Sequence, residues 1–333
     1  MNIKKVAEHA KVSTATVSRL INKTSYISPA TAKKVWSAIE ELGYYPNINA
    51  RGLASGRSLL LGLIVSDLVN PFFPELVKHF EECAVKQGYE VITANTNYDP
   101  ERTALRVRSL IERRVDGVAV ITSEMSQTLV DELSTRGIPI VFFETGQVRE
   151  NISNIRIDYE QGIGEGVNHL FKLGHRRIGF ITGPLGLKSS QTRKSAFLKF
   201  SRKLGIIEKK ELITTGNYMI DGGRKAMSEL LELKERPTAV MTSNDMMAMG
   251  ALQALRTYGL HVPEDISLIG FDDISLAESN DPPLTTVILS RVKVAESAFE
   301  SLFALINSDS KIGKEMWIET KLVVRESTAR LIV

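Results

Sequence analysis

The chain has little cysteine, no long apolar run and little net charge. Cys83 is its only cysteine, so no internal disulfide can form and nothing in the composition indicates an oxidising compartment. The longest apolar run, residues 59–65, contains a glycine and is far shorter than the roughly 20 residues of a membrane-spanning helix. The first residues carry lysines, a glutamate and a histidine instead of the apolar stretch of an export signal. The sequence therefore predicts a cytoplasmic protein.

The remaining composition is that of an ordinary globular protein. Hydrophobic residues make up 43% of the chain and charged residues 24%, which excludes wholesale disorder, collagen and a coiled-coil rod. At roughly 150 residues per domain, 333 residues are enough for two or three domains that each bury a core.

The charge is unevenly distributed along the chain. Residues 1–58 hold nine lysines and arginines but three acids, a net +6, whereas the whole chain carries +3. A basic N-terminal region on a mildly acidic remainder is typical of a protein that binds a polyanion such as nucleic acid. A solvated, lysine-rich surface is the alternative explanation.

The basic N-terminal region has the pattern of three short helices. Ser13 is a good N-cap for a helix over Thr14–Asn22, and Ser28 followed by a proline begins the next. Gly43 is placed to end that helix. Three short helices with a tight turn between the first two predict a helix-turn-helix. We expect its core to include Val17, Leu20, Ile21 and Trp36.

From residue 60 onward, apolar strand-like runs alternate with segments of helical periodicity. The predicted strands cover residues 61–65, 90–94, 117–121, 138–143, 177–182, 212–215, 238–241 and 267–270. The clearest predicted helices cover residues 74–86, 101–113, 159–172 and 246–258. This alternation predicts parallel, doubly wound sheets, and the number of elements favours two similar lobes with a ligand cleft at the carboxyl ends of the strands.

Sequence patterns typical of enzymes are present only in imperfect form. Residues 183–189 lie between a strand and a helix, but lysine does not follow the second glycine as a phosphate-binding loop requires. The glycines of residues 162–166 lie within a helix, where close helix packing explains them better than dinucleotide binding. The five histidines are scattered and have no cysteine cluster beside them. We therefore predict a binding protein, not an enzyme, with no cofactor and no metal.

A series of motifs runs through the whole chain in order. In the basic region these are VAEHAKVS (6–13), TVSRLIN (16–22), GYYPN (43–47) and ARGLA (50–54). Further on they are DLVNPFF (67–73), RVDG (114–117), GHRRIGF (174–180), RPTA (236–239), NDMMAMG (244–250) and PEDISLIGFD (263–272). With this series the chain resembles the LacI/GalR (lactose-repressor) family of transcriptional regulators over essentially its full length.

The resemblance implies a specific domain organisation. Residues 1–46 would form an all-α helix-turn-helix head, and residues 47–58 a hinge helix or linker. Residues 59–333 would form an effector-binding and dimerisation core. That core would be an α/β, two-lobed domain like the periplasmic binding proteins. Its N-terminal lobe would comprise residues 59–160 and 291–320, and its C-terminal lobe residues 161–290 and 321–333.

The resemblance also assigns DNA contacts, residue by residue. Recognition in the major groove would fall to Thr14, Ala15, Thr16 and Arg19. Contacts to phosphates would fall to Ser13, Asn22, Ser28 and Thr31, with helix capping as a coexisting role for the two serines. For Thr16, contact to a phosphate is favoured over contact to a base. The hinge would enter the minor groove with Asn47, Ala50, Arg51, Leu53 and Ala54, and Leu53 would be the wedge that kinks the DNA.

In the core, the resemblance implies a small effector bound between the lobes. The lining positions are Phe73, Ser123, Arg193, Tyr218, Asn244, Asp245 and Asp272. Arg193 and Asp272 match a charged pair that grips polar groups, and Tyr218 and Phe73 match stacking positions. For Asp245, capping of the following helix is an equally good explanation. Leu187 is apolar where some relatives place a polar contact, which argues against a purine-type effector.

The predicted function is that of a homodimeric, sequence-specific DNA-binding regulator, most simply a repressor, on a pseudopalindromic operator of double-stranded DNA. A sugar or sugar derivative would control its DNA affinity, as inducer or as corepressor. One alternative is control by a partner protein that docks on the N-terminal lobes. Another is a solute-binding protein, against which the basic head and the lack of an export signal argue.

Overall fold

The computed structural model describes residues 2–22, 25–44, 57–121, 125–144, 146–206 and 209–332. The chain divides into two compact units, Met1–Leu60 and Leu61–Val333, termed the head and the body below. Six predicted site residues lie outside the described ranges: the hinge residues Asn47, Ala50, Arg51, Leu53 and Ala54, and Ser123.

The described part of the head contains three helices: α1 (Ile3–His9), α2 (Thr14–Asn22) and α3 (Pro29–Glu41). Their apolar faces meet in a small core, which consists of Val6, Ala7, Ala10, Val17, Val35 and Ala38. Leu20 and Ile21 are half-buried and pack against this core, as predicted. Trp36 was predicted to join it, but half of its surface is exposed, so that prediction is wrong. Trp36 lies about 100° around α3 from Val35, away from the buried face.

The turn between α1 and α2 is built on a residue in the left-handed region. Lys11 has a φ of 53°, and the amide of Val12 donates to the carbonyl of Ala7 over 2.9 Å. This bond closes the end of α1 in the way that a glycine usually does. A lysine there carries a conformational cost that glycine would not.

The described residues of the body form two six-stranded sheets. The first, sheet A, has the order β11-β5-β4-β3-β1-β2. Its strands are β1 (Leu60–Val65), β2 (Glu90–Asn95), β3 (Gly117–Ile121), β4 (Ile140–Phe143), β5 (Ile152–Asp158) and β11 (Glu315–Glu319). The second, sheet B, has the order β12-β10-β9-β8-β6-β7. Its strands are β6 (Ile178–Thr182), β7 (Ile213–Thr215), β8 (Ala239–Thr242), β9 (Ser267–Asp272), β10 (Thr285–Ile288) and β12 (Lys321–Val323).

Both sheets have the same strand order. In each, the first strand lies between the second and the third, so the strand order reverses at one point of each sheet. The neighbours along β6 to β10 pair in parallel, and β12 alone is antiparallel to its neighbour in sheet B. Ligands of such sheets bind at the carboxyl ends of the strands, beside the reversal point. Two such edges therefore offer one shared binding cleft.

Nine helices of the described body cover these sheets. They are α4 (Phe72–Lys86), α5 (Pro100–Glu112), α6 (Gln127–Ser134), α7 (Tyr159–Lys172), α8 (Lys188–Lys203), α9 (Ile220–Leu231), α10 (Asp245–Thr257), α11 (Ser275–Glu278) and α12 (Arg291–Asn307). Helix α12 packs on α4 and against sheet A, whereas α9 and α10 pack closely on each other beside sheet B. No helix in the described part of the chain is long and apolar enough to cross a membrane.

The glycines of α7 allow close packing, as the sequence predicted. A Cβ atom on Gly164 would stand 2.6 Å from the ring of Phe200 on α8. A Cβ atom on Gly162 would overlap the side chain of Val287 on β10. These glycines let α7 pack closely on α8 and β10, and they do not form a strand-to-helix turn.

The chain passes between the two sheets three times: after Asp158, at Leu289 and at Thr320. Thr320 ties two of these crossovers together. Its hydroxyl donates to the carbonyl of Asp158 over 2.6 Å and accepts from the amide of Gly162 over 3.0 Å. The body therefore consists of an N-terminal lobe around sheet A and a C-terminal lobe around sheet B, and three crossover segments join the two lobes.

Candidate DNA-reading helix and effector cleft

Helix α2 presents a polar, exposed face opposite its buried one. Thr14, Ala15 and Arg19 are exposed, whereas Val17 is fully buried in the head core. An exposed arginine on such a face can donate two hydrogen bonds to a guanine edge. Three of the four residues assigned to base reading are thus accessible in the head, and the fourth, Thr16, is half-buried.

The hydroxyls assigned to phosphate contacts also cap helices. Ser13 Oγ accepts from the amide of Thr16 over 3.1 Å and lies 2.9 Å from the Thr16 hydroxyl. Ser28 and Thr31 repeat this arrangement, with hydroxyls 2.9 Å apart at the start of α3. Capping is therefore one role of these side chains, and phosphate contact remains a prediction. The side chain of Asn22 lies outside the described part of the structure.

A cleft lies between the two lobes of the body. Its lining comes from residues at or after the carboxyl ends of strands in both sheets, as the topology requires. Five of the predicted effector contacts line it: Phe73, Arg193, Tyr218, Asn244 and Asp272.

Arg193 and Asp272 form the charged centre of the cleft. Arg193 Nη2 lies 3.9 Å from Asp272 Oδ1, and its Nη1 donates to the carbonyl of Ser243. The guanidinium is 4.3 Å from the ring centroid of Phe271 and 4.7 Å from that of Tyr159. Burial raises the pKa of Asp272 to about 6, although the positive charge of Arg193 opposes this shift. The pair is thus held apart from bulk water, with charged groups ready for a polar ligand.

Tyr218 is fixed in the cleft by two other side chains, those of Ser190 and Asn244. Its hydroxyl hydrogen-bonds Ser190 over 2.7 Å, and its carbonyl accepts from Asn244 Nδ2 over 2.9 Å. Asn244 Oδ1 in turn accepts from the amide of Met247 and caps α10. Asn244 therefore lines the cleft while both ends of its amide are engaged within the protein.

Asp245 does not face the cleft, so its assignment as an effector contact is wrong. It is fully buried, and its carboxylate accepts from the Thr286 hydroxyl over 2.5 Å and from the amide of Ile274 over 2.9 Å. Asp245 is the first residue of α10, and the cap is the preceding Asn244. Its carboxylate joins α10 to β10 and to the segment after β9.

The lining also includes residues that the sequence did not point to, among them Tyr98 and Glu144. Glu144 Oε1 accepts from the amide of Ile157 over 3.0 Å, and burial raises the pKa of its carboxyl. Burial also raises the pKa of the Tyr98 hydroxyl. Both residues follow the ends of predicted strands, which was the signal available, but neither belongs to a motif.

Backbone conformation is unusual at four of the lining residues. Tyr98, Glu144, Tyr218 and Asp272 have φ values of 56°, 76°, 68° and 107°. Non-glycine residues seldom adopt positive φ, and such strain is concentrated at functional sites. Two of the four come from each lobe, so the strained residues flank the cleft on both sides.

The described residues contain no group of three or more histidine, cysteine or acidic side chains arranged to hold a metal ion. The chemistry of the cleft is instead that of hydrogen bonding and ring contact. Such a cleft binds a small molecule, and together with a helix-turn-helix head it defines a ligand-responsive regulator of transcription.

Comparisons with known proteins agree with this class. Residues 2–47 match the family described as bacterial regulatory proteins, lacI family, and residues 167–328 match a periplasmic binding protein-like domain. The HTH-type transcriptional repressor PurR of Aliivibrio salmonicida (strain LFI1238) is 34% identical over 330 residues, 99% of each chain. That of Yersinia pestis (strain Pestoides F) is 37% identical, over 98% of this chain and 96% of the relative.

Solved structures give the same result. A lac repressor dimer bound to operator and the anti-inducer ONPF superposes with a TM-score of 0.86, at 29% identity and 99% coverage of both chains. The transcriptional regulator CelR in complex with cellobiose has a TM-score of 0.73, at 30% identity over 98% of this chain and 99% of its own. The chain belongs to the LacI family of bacterial regulatory proteins. It is a DNA-binding transcriptional repressor with a ligand-binding domain, and its relatives are repressors and not enzymes.

Proposed function

We propose that two copies of this repressor bind a pseudopalindromic operator, and that a sugar or sugar derivative in the cleft controls their affinity for it. The observation that carries the effector assignment is the buried Arg193–Asp272 pair among aromatic rings. Vicinal hydroxyls both donate and accept, so an arginine fork and a carboxylate together satisfy them. The rings of Tyr218 and Phe73 supply the apolar faces against which a sugar ring packs.

Two structural neighbours support a sugar. One is the transcriptional regulator CelR in complex with cellobiose, and the other is a LacI-family transcriptional regulator of Enterococcus faecium with bound ribose. The latter is 26% identical over 82% of this chain, with a TM-score of 0.74. The lac repressor neighbour is a dimer on its operator, which supports the dimeric arrangement proposed here.

The effector assignment is tested by thermal stabilisation with sugars, sugar phosphates, sugar acids and nucleobases. A ligand at 100 times its Kd stabilises the protein by about 2.7 kcal/mol, which is readily measured. We expect one sugar-type compound to raise the Tm of the wild type but not that of Arg193→Ala. Arg149→Gln, at a half-exposed ion pair in the N-terminal lobe, is the control and should respond like the wild type. A nucleobase as the only hit would refute a sugar effector, and a blank panel would favour control by a partner protein.

The DNA assignment is tested on operator variants. Arg19→Ala should lose about 1–3 kcal/mol of discrimination at one base pair in each half-site, because it removes a bidentate contact. Lys33→Ala, also exposed in the head, removes the same charge and should weaken binding to all sequences equally. An unchanged specificity profile in Arg19→Ala would contradict the major-groove assignment. Leu53→Ala should reduce operator bending measured by fluorescence transfer, and unaltered bending would contradict the wedge.

A further inference from the structure

An arginine at the second crossover links the two lobes beside the effector cleft. Arg291 is the first residue of α12, which packs in the N-terminal lobe. Its Nε lies 2.6 Å from Glu75 Oε2 on α4, and its Nη1 donates to the carbonyl of Asp272 over 2.8 Å. One guanidinium therefore binds a helix of one lobe and the last residue of a strand in the other.

The positive charge of Arg291 is unfavourable at the N-terminus of α12, where this residue lies. The N-terminus of a helix carries partial positive charge, so a cation in the first turn is locally unfavourable. The ion pair with Glu75 compensates for this cost, and the arginine side chain is only 15% exposed. A lysine there would keep the charge but could not bind both partners in the planar fork.

Asp272, the third residue of this link, also carries the carboxylate on which ligand binding in the cleft depends. Asp272 offers its carboxylate to the cleft and its carbonyl to Arg291, with its backbone held at a φ of 107°. The carboxylate that faces the cleft and the carbonyl that Arg291 binds belong to this one residue.

We propose that Arg291 couples the effector cleft to the N-terminal lobe, because it holds the Asp272 backbone and the Glu75 carboxylate at the same time. This inference rests on the proposed function, in which occupancy of the cleft controls DNA affinity. Arg291 is a positioning residue: it transmits the state of Asp272 to α4. Glu75 lies outside the cleft lining, so its replacement tests transmission separately from ligand contact.

The experiment compares Glu75→Gln, Arg291→Gln and Arg291→Lys in the full chain by hydrogen exchange without ligand. The reporter is the amide of Ile274, which donates to Asp245 in the C-terminal lobe, across the crossover from Glu75. We expect both glutamine variants to raise its exchange rate about fivefold through easier local opening, and the double variant to add little. Arg291→Lys should resemble Arg291→Gln. Arg149→Gln is the control for loss of an ion pair within the N-terminal lobe.

Unchanged exchange at Ile274 in Glu75→Gln, or fully additive effects in the double variant, would overturn the inference. A second readout is the ratio of operator Kd with and without cellobiose or ribose, which should fall towards one in both glutamine variants. If neither sugar changes the operator Kd of the wild type, the proposed function fails for cellobiose and ribose as effectors. The exchange experiment then still decides whether Arg291 links the lobes.

Discussion

Replacing Asp272 with asparagine should stabilise the protein at neutral pH while destroying its response to the effector. The ordinary pKa of the carboxyl is 3.8, and burial raises it to about 6 in the folded state. The folded protein thus binds this proton more tightly than the unfolded chain, and stability falls as the pH rises through this interval. At 1.36 kcal/mol per pKa unit, ionised Asp272 costs the fold about 3 kcal/mol above pH 7.

Asparagine has the shape of the protonated carboxyl and tolerates the left-handed backbone at this position. Asp272→Asn should therefore exceed the wild type in free energy of unfolding by about 3 kcal/mol at pH 7.5. From the same two pKa values, the advantage should shrink to about half at pH 5. The assay is urea denaturation of the full chain at both pH values, with the m-value of the body transition checked for constancy.

Asp309→Asn is the matched control, because it removes an exposed carboxylate in a loop after α12 and should change stability by less than about 0.5 kcal/mol. Two results would refute the reasoning. One is an Asp272→Asn variant less stable than the wild type at pH 7.5, which would mean that attraction to Arg193 outweighs the cost of burial. The other is a stability difference that does not depend on pH.

Three further predictions concern the head, a helix pair and two histidines. Lys11→Gly should raise the Tm of the head by relieving the left-handed turn, a gain of up to about 1 kcal/mol after the entropy of glycine is deducted; a lower Tm would contradict it. Gly250→Ala should cost at least about 1–3 kcal/mol in chemical denaturation, because its Cβ would overlap the backbone of Ile220, and wild-type stability would contradict that close contact. Burial lowers the pKa of His169 and His175, so their contribution to stability is lost as the pH falls below 6.5; His169→Gln should flatten the fall of Tm between pH 7.5 and 5.5, and an unaltered slope would contradict this.

Apolar periodicity was enough to predict most of the strands and the longest helices of the body. All eight predicted strands exist, with ends shifted by one or two residues. Strand β5 was missed because its sequence, ISNIRID, alternates with polar residues that are buried against neighbouring strands. Strand β12 has three residues and depends on pairing with β10, which local sequence does not reveal.

The errors in side-chain placement have local causes. The apolar stripe predicted for α3 wrongly included Trp36. Val35 and Ala38 are buried in the core, whereas the larger Trp36 is half-exposed. In the NDMM motif, Asn244 and Asp245 are adjacent polar residues, and the sequence alone does not show which one caps α10 and which one lines the cleft. The answer depends on where α10 begins, which is at Asp245. Tyr98 and Glu144 line the cleft with positive φ values, and neither periodicity nor composition predicts such a backbone conformation.

The three crossovers have a consequence for biosynthesis. Sheet A receives β1 to β5 from residues 60–158 but its edge strand β11 only from Glu315–Glu319, after the whole of sheet B's parallel strands have been translated. At roughly 5–20 residues per second, the edge of β5 stays open on the ribosome for on the order of 10–30 s. An unpaired strand edge is a template for aggregation, so the nascent repressor is most vulnerable during this interval. A truncation before α12 would leave the N-terminal lobe permanently in that state.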